Sequence, residues 1–127
     1  MEQTHRGAIS AEISTATVRL LAEYTGRGPT KAHTVINKNS VLILLADTLT
    51  KGEQSLARMG MSDHVLETRK RYQHAMRDDL IAAVEQHTGR RVIAFMSDNH
   101  IEPDMAAEVF ALEPLQGDGA GPSDSDV

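Results

Sequence analysis

Three stretches of the 127-residue sequence hold side chains whose types and spacing could do chemistry. The first is Gly26-Arg27-Gly28-Pro29-Thr30-Lys31. A glycine-rich turn can aim several N–H groups at an anion, and Arg27 and Lys31 would add charge for phosphate, a nucleotide or bicarbonate. The run is not a P-loop, because no Gly-Lys-Ser/Thr follows at the required spacing and it leads into a strand pattern rather than a helix. Its competing reading is a helix stop and tight turn with solvated charges. The second set is Arg69, Gln73 and Arg77, four residues apart, which puts them along one helical face as a polar track toward the glycine turn. Glu67, Asp78 and Asp79 stand close enough to make that face an ordinary self-compensated surface instead. The third is the acidic loop Ser97 to Asp104, in which Asp98, His100, Glu102 and Asp104 alternate around Pro103. Such a set could hold a divalent cation or move protons. It lacks the mid-loop Gly and final Glu of a calcium loop, and Asp, Asn and Pro also serve turn geometry alone.

The six histidines, at 5, 33, 64, 74, 87 and 100, include no pair at a metal-ligand spacing. Ser97, Asp98 and His100 lie too close along one segment to assume a triad. The sequence therefore predicts no catalytic residue, no metal and no cofactor.

These stretches must be positioned by the elements around them. Ile9, Ile13, Ala16, Leu20 and Tyr24 recur at three and four, which predicts an amphipathic helix over 8–25, stopped at Gly26-Arg27-Gly28-Pro29. Lys31 to Ile36 and Val41 to Ala46 read as a strand pair around Asn37-Lys38-Asn39-Ser40, the second buried on both faces. Thr50-Lys51-Gly52-Glu53 has the form of a capping box for a short helix over 51–59. Ser62-Asp63 offers a new N-cap to a long helix with Val65, Tyr72, Met76, Leu80 and Val84 on one stripe, ending at Thr88-Gly89. Val92 to Met96 and Met105 to Leu112 form the last two strands, joined by the acidic loop. The order predicts a two-layer α+β fold, with helices on one face of a largely antiparallel sheet. Residues 1–7 are expected to be a flexible N-terminus, 8–115 one domain, and 116–127 a disordered acidic tail. The bare, apolar sheet face predicts a homo-oligomer, most economically a dimer.

Composition narrows the function classes. One core is all that this length supports, and aromatics at 3% are too few for a base-stacking surface, so no nucleic-acid partner is expected. Without cysteine there is no disulfide and no thiolate chemistry. Val41 to Ala46, the longest apolar run, is far below the roughly 20 residues of a spanning helix, and the first residues lack a secretory pattern, so a soluble cytoplasmic protein is expected. The net charge of −5 conceals a split: residues 1–91 hold all 13 Lys and Arg against 10 acids, and residues 92–127 hold 8 acids and no base. Asp118, Asp124 and Asp126 belong to the tail, so the rest reads as an acidic loop facing the Arg27, Arg69 and Arg77 set, from the same or another subunit.

Glu12-Ile13-Ser14, Tyr24 through Ala32, Arg69-x-x-Tyr72-Gln73-x-x-Met76-Arg77, Thr88-Gly89-Arg90, Ser97-Asp98-Asn99-His100 and Asp104, taken in order, resemble the MpsC-like family over roughly residues 8–114. That family takes its name from a sodium-linked, membrane-potential-generating system whose membrane components look like those of bicarbonate uptake. The resemblance implies a small accessory or regulatory protein connected with such a system, not a transporter. The residues and the resemblance together predict a non-catalytic protein that binds a small anion or docks a partner, such as a membrane transport component, through Gly26, Arg27, Gly28, Lys31, Arg69, Gln73 and Arg77. The alternatives are a metal-dependent enzyme built on Asp98, His100 and Asp104, and a KH-like nucleic-acid-binding module.

Overall fold

The computed structural model describes residues 2–27 and 31–115, and the elements follow as α1 (Glu2–Thr25), β1 (Lys31–Ile36), β2 (Ser40–Ala46), α2 (Lys51–Arg58), α3 (Ser62–Thr88), β3 (Val92–His100) and β4 (Met105–Leu112). The four strands form one antiparallel sheet in the order β1-β2-β4-β3. This is the expected α+β class.

Both long helices pack on one face of the sheet. Ser14 of α1 shares a 2.7 Å hydrogen bond with Thr34 of β1, and the Tyr24 hydroxyl donates to Asp79 of α3 at 2.7 Å. Together with the His87–Glu12 pair at 3.6 Å, this sets α1 and α3 antiparallel. Between the layers lie Ile13, Leu21, Met76, Leu80 and Val84 from the helices, against Val41, Ile43, Leu45, Ala106, Phe110 and Leu112 from the sheet. Phe95 and Phe110 tilt together with ring centroids 5.0 Å apart, so two rings and many aliphatic groups fill the core.

Several boundaries differ from expectation. The first helix begins at Glu2 rather than residue 8, so residues 2–7 are helical; no proline or turn pair interrupts them, and Gly7 alone costs only about 1 kcal/mol. The capping box at Thr50 and Glu53 forms as expected. Ser62-Asp63 does not cap α3: the Met61 N–H returns to the Leu56 carbonyl at 2.9 Å, which closes the turn one residue early and leaves Ser62 inside the helix. The last strand pair is longer than expected, since β3 continues to His100 in register with β4. Residues 116–127, the expected tail, lie outside the described residues.

The expectation that β2 is buried on both faces is corrected. Val41, Ile43 and Leu45 face the helices, whereas Leu42 is half-buried and Leu44 is exposed on the other side. The register explains this. One row, Thr34, Ile43, Glu108 and Ser97, runs under the helices. The neighbouring rows His33, Leu44, Ala107, Asp98 and Val35, Leu42, Val109, Met96 point away from them, because successive side chains alternate across a sheet.

Candidate functional site

The inward stripe of α3 is Val65, Arg69, Gln73, Met76, Leu80 and Val84, all buried. Two of its six members are polar. Arg69 is only 2% exposed, and its Nη1 donates to the Thr48 carbonyl at 3.4 Å and lies 3.5 Å from Glu53 Oε1. The same Glu53 oxygen accepts from the Thr50 N–H at 2.8 Å, so a helix cap of α2 doubles as the counter-ion of a buried guanidinium. One turn further on, Gln73 donates to Glu108 Oε2 at 3.1 Å and accepts from the Asn99 side-chain amide at 2.8 Å.

Glu108 comes from β4, where strand alternation through Ala106, Glu108, Phe110 and Leu112 drives its carboxyl under α3. Burial pushes the Glu108 carboxyl up to about 7, against the opposing effects of the Gln73 hydrogen bond, the Arg69 charge and the Ser97 side chain. The result is a sealed polar network spanning α2, α3, β3 and β4. Four of its atoms, Glu53 Oε2, Arg69 Nε, Asn99 Oδ1 and Glu108 Oε1, are buried with no hydrogen-bond partner among the described residues. With two carboxylates against one guanidinium, a proton on Glu108 leaves the network neutral.

This arrangement divides the expected basic track. Each step of four residues turns about 40° past a full helical turn. Arg69 and Gln73 therefore fall inside, while Arg77 emerges into solvent and pairs with Asp78 at 3.0 Å. Among the described residues no hydrogen bond or ion pair joins Arg69 or Arg77 to the glycine turn. At that turn Gly26 adopts a left-handed φ of 80° that ends α1, and the Thr25 hydroxyl accepts from the Arg27 N–H at 3.2 Å. The Arg27 Nε is buried with no hydrogen-bond partner among the described residues, and Lys31 opens β1 in an exposed position. Gly28 lies outside the described residues.

The acidic loop is also divided. Asp98 and His100 belong to β3 and not to the loop, because they pair with Ala107 and Met105 of β4; along the strand Ser97 and Asn99 face the helices and Asp98 and His100 face away. Asp98 accepts from the Asn99 N–H at 2.8 Å, and His100 Nδ1 lies 2.8 Å from the Pro103 carbonyl across a cis Glu102–Pro103 peptide. Asp104 points elsewhere: it accepts from the Thr48 N–H (3.0 Å), the Thr48 hydroxyl (2.9 Å) and the Leu49 N–H (2.9 Å), tying the β2–α2 loop to the last hairpin. Within one chain, among the described residues, no hydrogen bond or ion pair joins this loop to Arg69 or Arg77; Arg69 is held by Glu53 and Thr48, and Arg77 pairs with Asp78. Among the described residues no group of three or more His, Cys, Asp or Glu is arranged to hold a metal ion. Asp104→Asn is expected to lower stability by about 1–3 kcal/mol, because its amide would turn a donor toward an N–H that needs an acceptor. Thermal melting checks this, and added magnesium or manganese should leave both proteins unchanged.

Glu53, Ser97, Asn99 and Glu108 were missed as members of one network. The available signals were positional: Arg69 and Gln73 continue the Val65-to-Met76 stripe, and Glu108 occupies an inward place in an alternating strand.

A family profile described as "Na+-translocating membrane potential-generating system (MpsC)" matches residues 5–114. No curated protein and no solved structure matches the chain. Among the described residues no helix is long and apolar enough to cross a membrane.

Proposed function

The chain belongs to the MpsC family, and from that premise we propose that it is a non-catalytic, cytoplasmic accessory or regulatory protein of a membrane-linked cation or bicarbonate uptake system. Its regulated contact is a small oxyanion, bicarbonate or phosphate, held at the turn by Arg27 and Lys31. The observation that supports this reading is the Arg27 Nε, which is buried without a hydrogen-bond partner among the described residues, beside a left-handed Gly26 and an exposed Lys31. Arg69 and Gln73, the other basic-track candidates inside the fold, are sealed from solvent and engaged with Glu53, Glu108 and Asn99. They act on the fold and not on a ligand.

Thermal melting in bicarbonate and in phosphate, against chloride at matched ionic strength, tests the anion. A ligand at ten times its dissociation constant stabilises the native state by about 1.4 kcal/mol, so the native protein should melt several degrees higher and Arg27→Ala should not respond. Equal melting of the native protein in all three salts would remove the oxyanion from the proposal.

A further inference from the structure

The outer face of the sheet departs from the usual pattern of an antiparallel sheet with one wet side, in which outward positions are polar. Here the outward positions of the two central strands include Leu42, Leu44, Ala107 and Val109, flanked by Val35 on β1 and Met96 on β3. Leu44 is 38% and Met96 55% exposed, and Ile93, at the β3 irregularity, is 57% exposed. A contiguous apolar surface across four strands marks an interaction site. Titratable side chains sit toward its edges, with Lys31 and His33 on β1 and Asp98 and His100 on β3.

We propose that a second copy of this chain covers this face, packed sheet to sheet about a two-fold axis that runs parallel to the strands along the β2/β4 seam. In that arrangement β1 of one copy lies over β3 of the other, and β2 lies over β4. His33 then meets Asp98 of the second copy, Leu44 meets Ala107, Leu42 meets Val109 and Val35 meets Met96. In the His33 row imidazole faces carboxylate and Leu44 faces the smaller Ala107, while in the next row Lys31 faces His100 of the second copy; each pair occurs twice, as an isologous interface requires. The register makes this pairing self-complementary, because His33 and Asp98 occupy one row and stand one strand outside the seam on opposite sides. A two-fold axis across the strands would instead lay β1 on β1 and β3 on β3, so that His33 and Asp98 never face one another. Facing sheets pack about 10 Å apart, which lets these side chains interdigitate. The inference goes beyond the oxyanion at the turn and does not depend on it, since Arg27 takes no part in this face.

Sedimentation or light scattering of the full chain tests it. The native protein should have twice the 13.9 kDa chain mass, and Leu44→Glu, placed on an already exposed position, should be a monomer. Asp98→Lys and His33→Asp should each weaken association by at least roughly tenfold, and the double swap should restore it. The swaps keep the test decisive if Leu44→Glu does not fold. A monomeric native protein at micromolar concentration, with or without oxyanion, would overturn the proposal. So would a dimer indifferent to both swaps, which would use another surface.

Discussion

Arg69→Met is expected to destabilise the protein by about 3–5 kcal/mol, the range for removing one partner of a buried charge pair. The guanidinium is almost fully enclosed, and the groups that it serves are enclosed with it. Without it the Glu53 carboxylate keeps, among the described residues, only the Thr50 N–H of its own cap, and the Thr48 carbonyl loses a donor. Glu108 loses the nearby positive charge that offsets its burial. Methionine restores much of the lost volume, so the penalty isolates charge and hydrogen bonding more than cavity formation. The 3.5 Å separation of Arg69 from Glu53 is long for a charged pair, which favours the lower part of the range. A fall in melting temperature of roughly 10 °C follows for a domain of this size. The partners share one network, so Glu53→Gln in the Arg69→Met background should recover part of the loss, although Glu53→Gln alone destabilises. A loss below about 1 kcal/mol would mean that the guanidinium reaches water and that the network is not sealed.

The elements were legible where local chemistry and global packing agree. Gly26 ends α1, Thr50 and Glu53 cap α2, and Gly89 ends α3 with a left-handed φ of 69°, each as its residue type demands. The network was less legible, because a polar residue on an amphipathic pattern reads as surface until its neighbours are known. Arg69, Gln73 and Arg77 have equal spacing, yet a drift of about 40° per step separates two core positions from a solvated one. Ser97-Asp98-Asn99-His100 has the composition of a turn. Pairing with Met105 to Glu108 carries it into β3 and splits it between the two faces of the sheet. Asp104 is the reverse case: its place before a strand was evident, but the Thr48 and Leu49 donors that it serves lie more than 50 positions earlier in the chain. No local pattern connects them.

The pH dependence of stability should be dominated by Glu108 between about pH 4.5 and 7. Its ordinary value is 4.5 and burial raises it to about 7, so the folded state binds the proton more tightly than the unfolded chain does. Below the ordinary value both states are protonated and the full stability is present. As pH rises the unfolded chain ionises first, and stability falls by about 1.4 kcal/mol per pH unit until the folded carboxyl also ionises near 7. The total loss is about 3 kcal/mol, with no further loss from this group at higher pH. Glu108→Gln removes the titration while keeping the shape and an oxygen for the Gln73 amide. The variant should match the native protein at about pH 5 and melt roughly 10 °C above it at about pH 8. Because every other ionisable group is common to both proteins, the difference between their melting curves belongs to Glu108 alone. A difference that stays constant from pH 5 to 8 would show that the carboxyl is already ionised in the fold. In that case Arg69 would be neutralising Glu108 as well as Glu53, and the proton would not be what balances the network.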